Sequence, residues 1–344
     1  MKTVRIGIVL LGLFLNGGAS AEEQRGNTVW DGFSGFLQPD WERDFSVTLG
    51  TKVWLNEWTR NSFFFEIGLA GDVLDEVGFP GGLITTSAIR NAPVTQTSDI
   101  EPTPIPQLSL RYKWLLLSGS YYPETDFEYR TTTSATKITQ TVDLSPAGLG
   151  TLSRTTDLTF FNTTTSEREE WDAGLGILIL PNVAILGGYK EVNQDIEGGT
   201  SFDFAQNRVT LLTGQPLATS SSDIEIKGPT IGIAGSVPIA HGFGLYGSYA
   251  HGFMDVDIND VFTVANGSTT RSETDTDADY DVAEVGFTYT HGTKEFVPFA
   301  PLSAATVYAG YRWQHIETDF SDVPNTEDRT DTTRGFVAGV NLSF

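Results

Sequence analysis

The sequence is 344 residues long and carries 44 acidic against 21 basic side chains, a formal net charge of −23, with no cysteine. That negative excess repels a polyanion and excludes nucleic acid as a partner, and the missing thiols exclude a disulfide framework. With 39% hydrophobic and 12% aromatic residues the chain is too apolar to be disordered, yet past its first segment no run of about 18 uncharged apolar residues could cross a bilayer as a helix.

At the start, Lys2 and Arg5 precede an apolar run from Ile6 to Leu15, and Ala19-Ser20-Ala21 follows. A charged beginning, a short apolar core and a small-residue end predict a secretory signal peptide over 1–21. Residues 22–42 carry Trp30, Phe33, Phe36 and Trp41 without a period and are expected to form an irregular lead-in. From 43 onwards the pattern changes to period two. Over 44–56, Phe45, Val47, Leu49, Val53 and Leu55 share one face, and Ser46, Thr48, Gly50, Lys52 and Trp54 share the other. That is a strand with an apolar and a small or polar face. Similar strands are predicted over 105–112, 115–130, 167–180, 183–196, 223–237, 243–258, 276–289 and 305–320. Between them, 57–104, 131–166, 197–222, 259–275 and 321–330 are expected to be long polar loops. Tight turns fall at Pro181-Asn182 and Ala240-His241-Gly242.

The last stretch, 331–344, reads Asp-Thr-Thr-Arg-Gly-Phe-Val-Ala-Gly-Val-Asn-Leu-Ser-Phe. Phe336, Ala338, Val340, Leu342 and Phe344 share a parity, opposite Gly335, Gly339, Asn341 and Ser343. A final strand that ends on phenylalanine resembles the Gram-negative outer-membrane β-barrel proteins. The resemblance implies that Phe344 belongs to a signal read by the barrel-assembly machinery, that outer-membrane lipid and lipopolysaccharide surround the chain, and that the lead-in is periplasmic. Long connections alternating with short ones suit such a barrel, which has long external loops, short periplasmic turns and an even strand number. The expected fold is therefore all-β: one closed antiparallel transmembrane barrel of about ten strands over 43–344. Twelve strands is the alternative, if 57–104 supplies a membrane hairpin.

By parity, Lys52, Arg111, Glu284 and Arg312 point into the lumen. A charge there needs a partner or water. With Trp54 and Tyr308 on the same inner face, the bore is expected to be mostly filled by side chains, since barrels near eight strands are only wide enough for that. A narrow polar conduit is the competing expectation. Trp54, Trp58, Tyr112, Trp114, Trp171, Trp313 and Phe344 are candidates for interfacial aromatic girdles.

Asp255, Asp257, Asn259 and Asp260 fail the calcium-loop pattern, because its sixth position holds Asp260 rather than glycine and its twelfth holds Asn266. Glu273, Asp275, Asp277, Asp279 and Asp281 read as a solvated rim that could associate weakly with divalent cations. Ten-strand outer-membrane barrels include the omptin proteases, whose site resembles an acidic pair facing an Asp-x-His pair. No Asp-x-His occurs among His241, His251, His291 and His315. His315 shares a face with Glu317 and Asp319, but no nucleophile can be placed beside it. The expectation is a barrel that is not an enzyme and needs no cofactor, either a narrow or occluded porin-like channel for small solutes or a structural surface protein. The alternative is a barrel enzyme, a protease or lipid hydrolase.

Overall fold

The computed structural model describes residues 45–62, 94–143, 151–180, 182–206, 209–264, 267–292, 304–320 and 328–344. The expected signal peptide, the lead-in and the centre of the 57–104 segment lie outside these residues. The described elements are all strands: β1 (Phe45–Ser62), β2 (Val94–Thr97), β3 (Glu101–Tyr112), β4 (Leu115–Asp143), β5 (Thr151–Leu180), β6 (Val183–Gln206), β7 (Val209–Ala240), β8 (Phe243–Val264), β9 (Thr269–Gly292), β10 (Ala304–Asp319) and β11 (Arg329–Ser343). Each pairs antiparallel with its neighbour, and β11 returns to β1, so ten strands close into a barrel. The additional strand, β2, pairs with Thr59–Ser62 of β1 beyond β3, one residue out of its register. The twelve-strand alternative is not formed among the described residues.

The closing seam runs from Thr48↔Ser343 to Arg60↔Asp331. Phe344 extends it: its N–H donates to the Val47 carbonyl at 2.9 Å, and the Val47 N–H donates back at 3.3 Å. Deleting Phe344 removes that bonded pair from the joint that closes the ring, where each bond contributes roughly 1 kcal/mol. Folded, heat-modifiable protein in the membrane fraction is expected to fall several-fold while precursor processing continues. Unchanged assembly would contradict this.

Next to the short turns the barrel is apolar outside and small or polar inside. Leu175, Ile177, Ile231, Phe287 and Phe336 point outward and are exposed, while Thr48, Ser109, Ser118, Ser248 and Thr306 point inward. Tyr112 and Trp114 stand exposed at the short-turn end and Trp171 on the outward face. Trp54 and Trp58 do not join a girdle, as had been expected of them: both are inside the lumen and at most 1% exposed. Their parity places them there, and parity outweighs any affinity of tryptophan for the interface.

Further along the strands the polarity reverses. On β7, Ile231 faces out, but Lys227, Glu225 and Asp223 follow on the same face while Ile226 and Ile224 turn in. On β8, Phe253 gives way outside to Asp255, and Met254, Val256 and Ile258 face in. The inward aliphatics of β6–β10 pack into one core with Ala278 and Ile316. This reversal explains the principal difference from the sequence reading. Among the described residues, the expected loops 131–166, 197–222 and 259–275 are largely strand: β4 and β5 run on to Asp143 and from Thr151, β6 reaches Gln206, and β8 reaches Val264. Their outward faces meet water, so they are polar without being irregular.

The Glu101-Pro102-Thr103-Pro104 stretch, expected as the end of a loop, is also strand. Pro102, Pro104 and Pro106 are alternate exposed residues of β3. An antiparallel residue directs its N–H to one neighbour only. The β1–β3 ladder is complete from Glu101 to Tyr112, so the missing donors all face β4. The β3–β4 ladder accordingly stops at Gln107↔Ser120. Side chains take over beyond it, with Thr103 Oγ1 3.3 Å from the Tyr122 hydroxyl and 3.1 Å from Thr125 Oγ1. Proline is tolerated where a strand edge needs no donor.

Candidate functional site

The lumen holds the densest set of buried charges described. Glu284 of β9 is its first node. Lys52 Nζ of β1 lies 3.2 Å from Glu284 Oε2, Arg312 Nη1 of β10 lies 3.5 Å from the same oxygen, and the Tyr246 hydroxyl of β8 donates to Oε1 at 3.0 Å. The Arg312 guanidinium also covers the Trp54 ring at 4.8 Å. Thus three of the four charges assigned to the lumen by parity meet in one cluster. Arg111 is buried too but lies at the short-turn end, where its Nε donates to the Lys113 carbonyl at 2.9 Å.

Glu170 of β5 is the second node. Its Oε1 takes Arg168 at 2.5 Å and Gln314 Nε2 at 3.1 Å, and its Oε2 takes Lys190 Nζ at 2.5 Å. Gln314 is on β10, five strands from β5 in either direction round the ring. The Gln314–Glu170 bond therefore crosses the full width of the bore. Arg168 Nη1 makes a second crossing, to Thr333 Oγ1 of β11 at 2.9 Å. Arg312 Nη2 donates to Gln314 Oε1 at 3.4 Å and ties the two nodes together. The result is a continuous bar of side chains from wall to wall. Behind it, a cavity of about 40 Å³ borders Asp172, Lys190, Thr230 and Tyr280. That space suits one or a few waters, not a passage.

The sequence reading did not single out Arg168, Glu170 and Lys190. The signal was present: with Trp171, Ala173 and Leu175 outward, Glu170 must face in. The contact with Gln314 had no local signal, because it depends on which strands lie opposite.

The acidic outer surface contains the remaining candidates. Asp255 and Asp257 lie on β8 rather than in a calcium loop, and Asp257 Oδ2 takes Lys227 Nζ at 3.3 Å. Asp255, Asp277, Asp279, Glu317 and Asp319 border a hollow of about 670 Å³ on this surface. Glu124, Asp126 and Glu167 form a separate cluster on β4 and β5, and the Glu124 charge raises the Glu167 pKa from its ordinary value. His315 is not held by Glu317 or Asp319. Its Nδ1 meets Thr332 Oγ1 at 2.9 Å, and its ring stacks on Trp313. The carboxylate-held imidazole is instead His251, whose Nδ1 is 3.0 Å from Asp281 Oδ1. The Tyr249 hydroxyl donates to that same oxygen at 2.5 Å. Tyr249 therefore directs its O–H to the carboxylate rather than to the imidazole.

No protein-family model and no curated protein matches the chain. Solved structures give weak likenesses. The outer membrane protease OmpT from Escherichia coli is 14% identical with a TM-score of 0.44, over 87% of this chain and 96% of that one. A Pseudomonas aeruginosa FadL homologue is 9% identical with a TM-score of 0.31, over 93% and 96%. The Pseudomonas putida toluene transporter TodX is 10% identical with a TM-score of 0.29, over 92% of each. At these values the closed barrel rests on its own strand pairing, and no activity transfers from these proteins.

Proposed function

We propose that this chain is an integral outer-membrane β-barrel whose lumen is occluded by its own side chains, without enzymatic activity. The observation that carries the reading is the Gln314–Glu170 bond between opposite strands, backed by the cluster on Glu284. Insertion is supported by the exposed apolar band beside the short turns, flanked by aromatics at the inner end and acids at the outer. Lipid and lipopolysaccharide are then its surroundings, and the barrel-assembly machinery its partner in biogenesis.

The test is single-channel recording in a planar bilayer. The parent protein is expected to show no steady conductance. Arg312→Ala, which breaks the link between the nodes, is expected to admit brief small openings that favour anions, because cations outnumber carboxylates in the bar. Arg111→Ala, remote from the bar, is expected to stay closed. A large cation-selective conductance in the parent would make it a diffusion porin instead.

Orientation follows from the same picture: the short turns at 113–114, 181–182 and 241–242 face the periplasm. The absence of native cysteine makes this simple to read. Ser268→Cys, beyond the acidic surface, is expected to react with an impermeant maleimide on intact cells, and Asn182→Cys only after lysis. The opposite result would invert the topology.

A further inference from the structure

Above the Glu170 bar, the interior has two unlike walls. The β6–β10 side is aliphatic, with Ile224, Ile226, Val256, Ile258 and Ile316 packed together. The opposite side, from β1, β2, β4 and β11, is aromatic and cationic. Trp58 packs edge-on against Phe127 at 5.2 Å and Tyr129 at 6.0 Å. Arg60 lies over the Tyr129 ring at 5.8 Å. Arg60 is the register partner of Asp331, and Asp331 in turn pairs with Ile316, so the two walls adjoin directly.

Hydrogen bonding on the cationic wall is incomplete. Arg60 is 8% exposed and Trp58 fully buried. Arg60 Nε and Nη1, Trp58 Nε1, Arg329 Nε and the Tyr129 hydroxyl have no hydrogen-bond partner of good geometry among the described residues. Asp331 takes Arg329 at 3.1 Å on one oxygen, and its other oxygen and Gln96 Oε1 are similarly unpartnered. Two guanidiniums thus face one carboxylate, an excess of one positive charge. Burial and the neighbouring Arg329 lower the Arg60 pKa to about 10, the direction expected when a cation lacks sufficient counter-charge.

Buried donors left unpaired are costly, so a polar species is needed to take them. Guanidinium and indole groups only donate. Water can bridge some of these donors to Asp331, Gln96 and the Tyr129 hydroxyl, but it leaves the spare positive charge uncompensated. A donor excess with one spare positive charge suits an acceptor-only monoanion. The rings of Trp58 and Tyr129 on one side and Ile316 on the other suit an apolar body attached to it. We propose that the outer end of the lumen is a binding site for a small monocarboxylic acid with an apolar body, held by Arg60, Arg329 and Trp58 and entering from the external mouth. The site lies outside the Glu170 bar, so it stands whether or not the lumen conducts, and its test reads binding without current.

The experiment is titration calorimetry of the full chain folded in detergent micelles, with sodium benzoate as the probe. Saturable binding at one site per chain is expected. Benzyl alcohol, which has the ring without the charge, is expected not to saturate, and inorganic phosphate to bind at least tenfold more weakly. Arg60→Gln is expected to weaken benzoate at least tenfold, and Lys227→Gln, on the outer face, to leave it unchanged. Trp58→Phe keeps a ring and removes only the N–H, and a several-fold loss is expected. Should Arg60→Gln fail to reach the heat-modifiable folded form, Trp58→Phe and Arg329→Gln carry the test. No saturable benzoate binding, binding indifferent to the folded variants of this wall, or phosphate or benzyl alcohol binding as tightly as benzoate would overturn the proposal.

Discussion

Replacing Glu170 with alanine is expected to cost about 3–5 kcal/mol of stability, the range seen when one partner of a buried ion pair is removed. Glu170 is 3% exposed and is the shared acceptor for Arg168, Lys190 and Gln314. Its loss strands two cations in the lumen, far from bulk water. Glu284 is already engaged by Lys52, Arg312 and Tyr246, and Asp172 beside Lys190 offsets only part of the loss. Glu170→Gln is expected to lie between parent and alanine variant, because the amide keeps the volume and an acceptor but not the charge. Urea unfolding in micelles measures this as a shift in midpoint at constant slope. A cost below about 1 kcal/mol for Glu170→Ala, the figure for an exposed pair, would mean that water reaches the bar and the lumen is not occluded.

The second large effect tests the polarity reversal. Ile231→Arg and Glu225→Arg change residues on the same face of the same strand, six positions apart. Ile231 is 57% exposed and belongs to the apolar band. An arginine on the lipid face costs about 2–4 kcal/mol near the bilayer midplane and about 0–1 kcal/mol near the interface. The Ile231 variant is therefore expected to be destabilised by about 2–4 kcal/mol in lipid vesicles. Glu225→Arg is expected to change stability by less than about 1 kcal/mol, because its neighbourhood is already charged, with Lys227 Nζ 2.8 Å from Glu225. Equal costs at the two positions would mean that the strand does not leave the membrane between them.

These two variants also mark what the sequence could and could not convey. The closed barrel was legible because alternation is a local property: residues two apart share a face whatever the rest of the chain does. Lys52, Glu284 and Arg312 were legible as inward residues on the same ground. The extent of the strands was not. Stretches such as Thr131-Thr132-Thr133 look like loop when apolar-outward alternation is the sole criterion, and beyond the apolar band that criterion changes sign. Asp223-Ile224-Glu225-Ile226 alternates as cleanly as any membrane segment, with inside and outside exchanged. Pro102, Pro104 and Pro106 read as a loop because a proline forbids a ladder, yet here they forbid it on one side only. The partners of Glu170 required the circular order of the strands and their stagger, which no single strand encodes.

The reversal also determines how the protein sits. On most strands the outward face changes from apolar to charged over a few residues: Ile231 to Lys227, Phe253 to Asp255, Trp171 to Glu169 and then Glu167, Leu55 to Glu57. Sinking by one pleat would carry a ring of carboxylates into hydrocarbon. Rising by one would draw Tyr112, Trp114 and Phe243 away from the opposite interface and bring their apolar neighbours towards water. Both displacements are opposed on many strands at once, so the two borders act as stops. They set the depth of the barrel and, because they run round most of the circumference, limit its tilt.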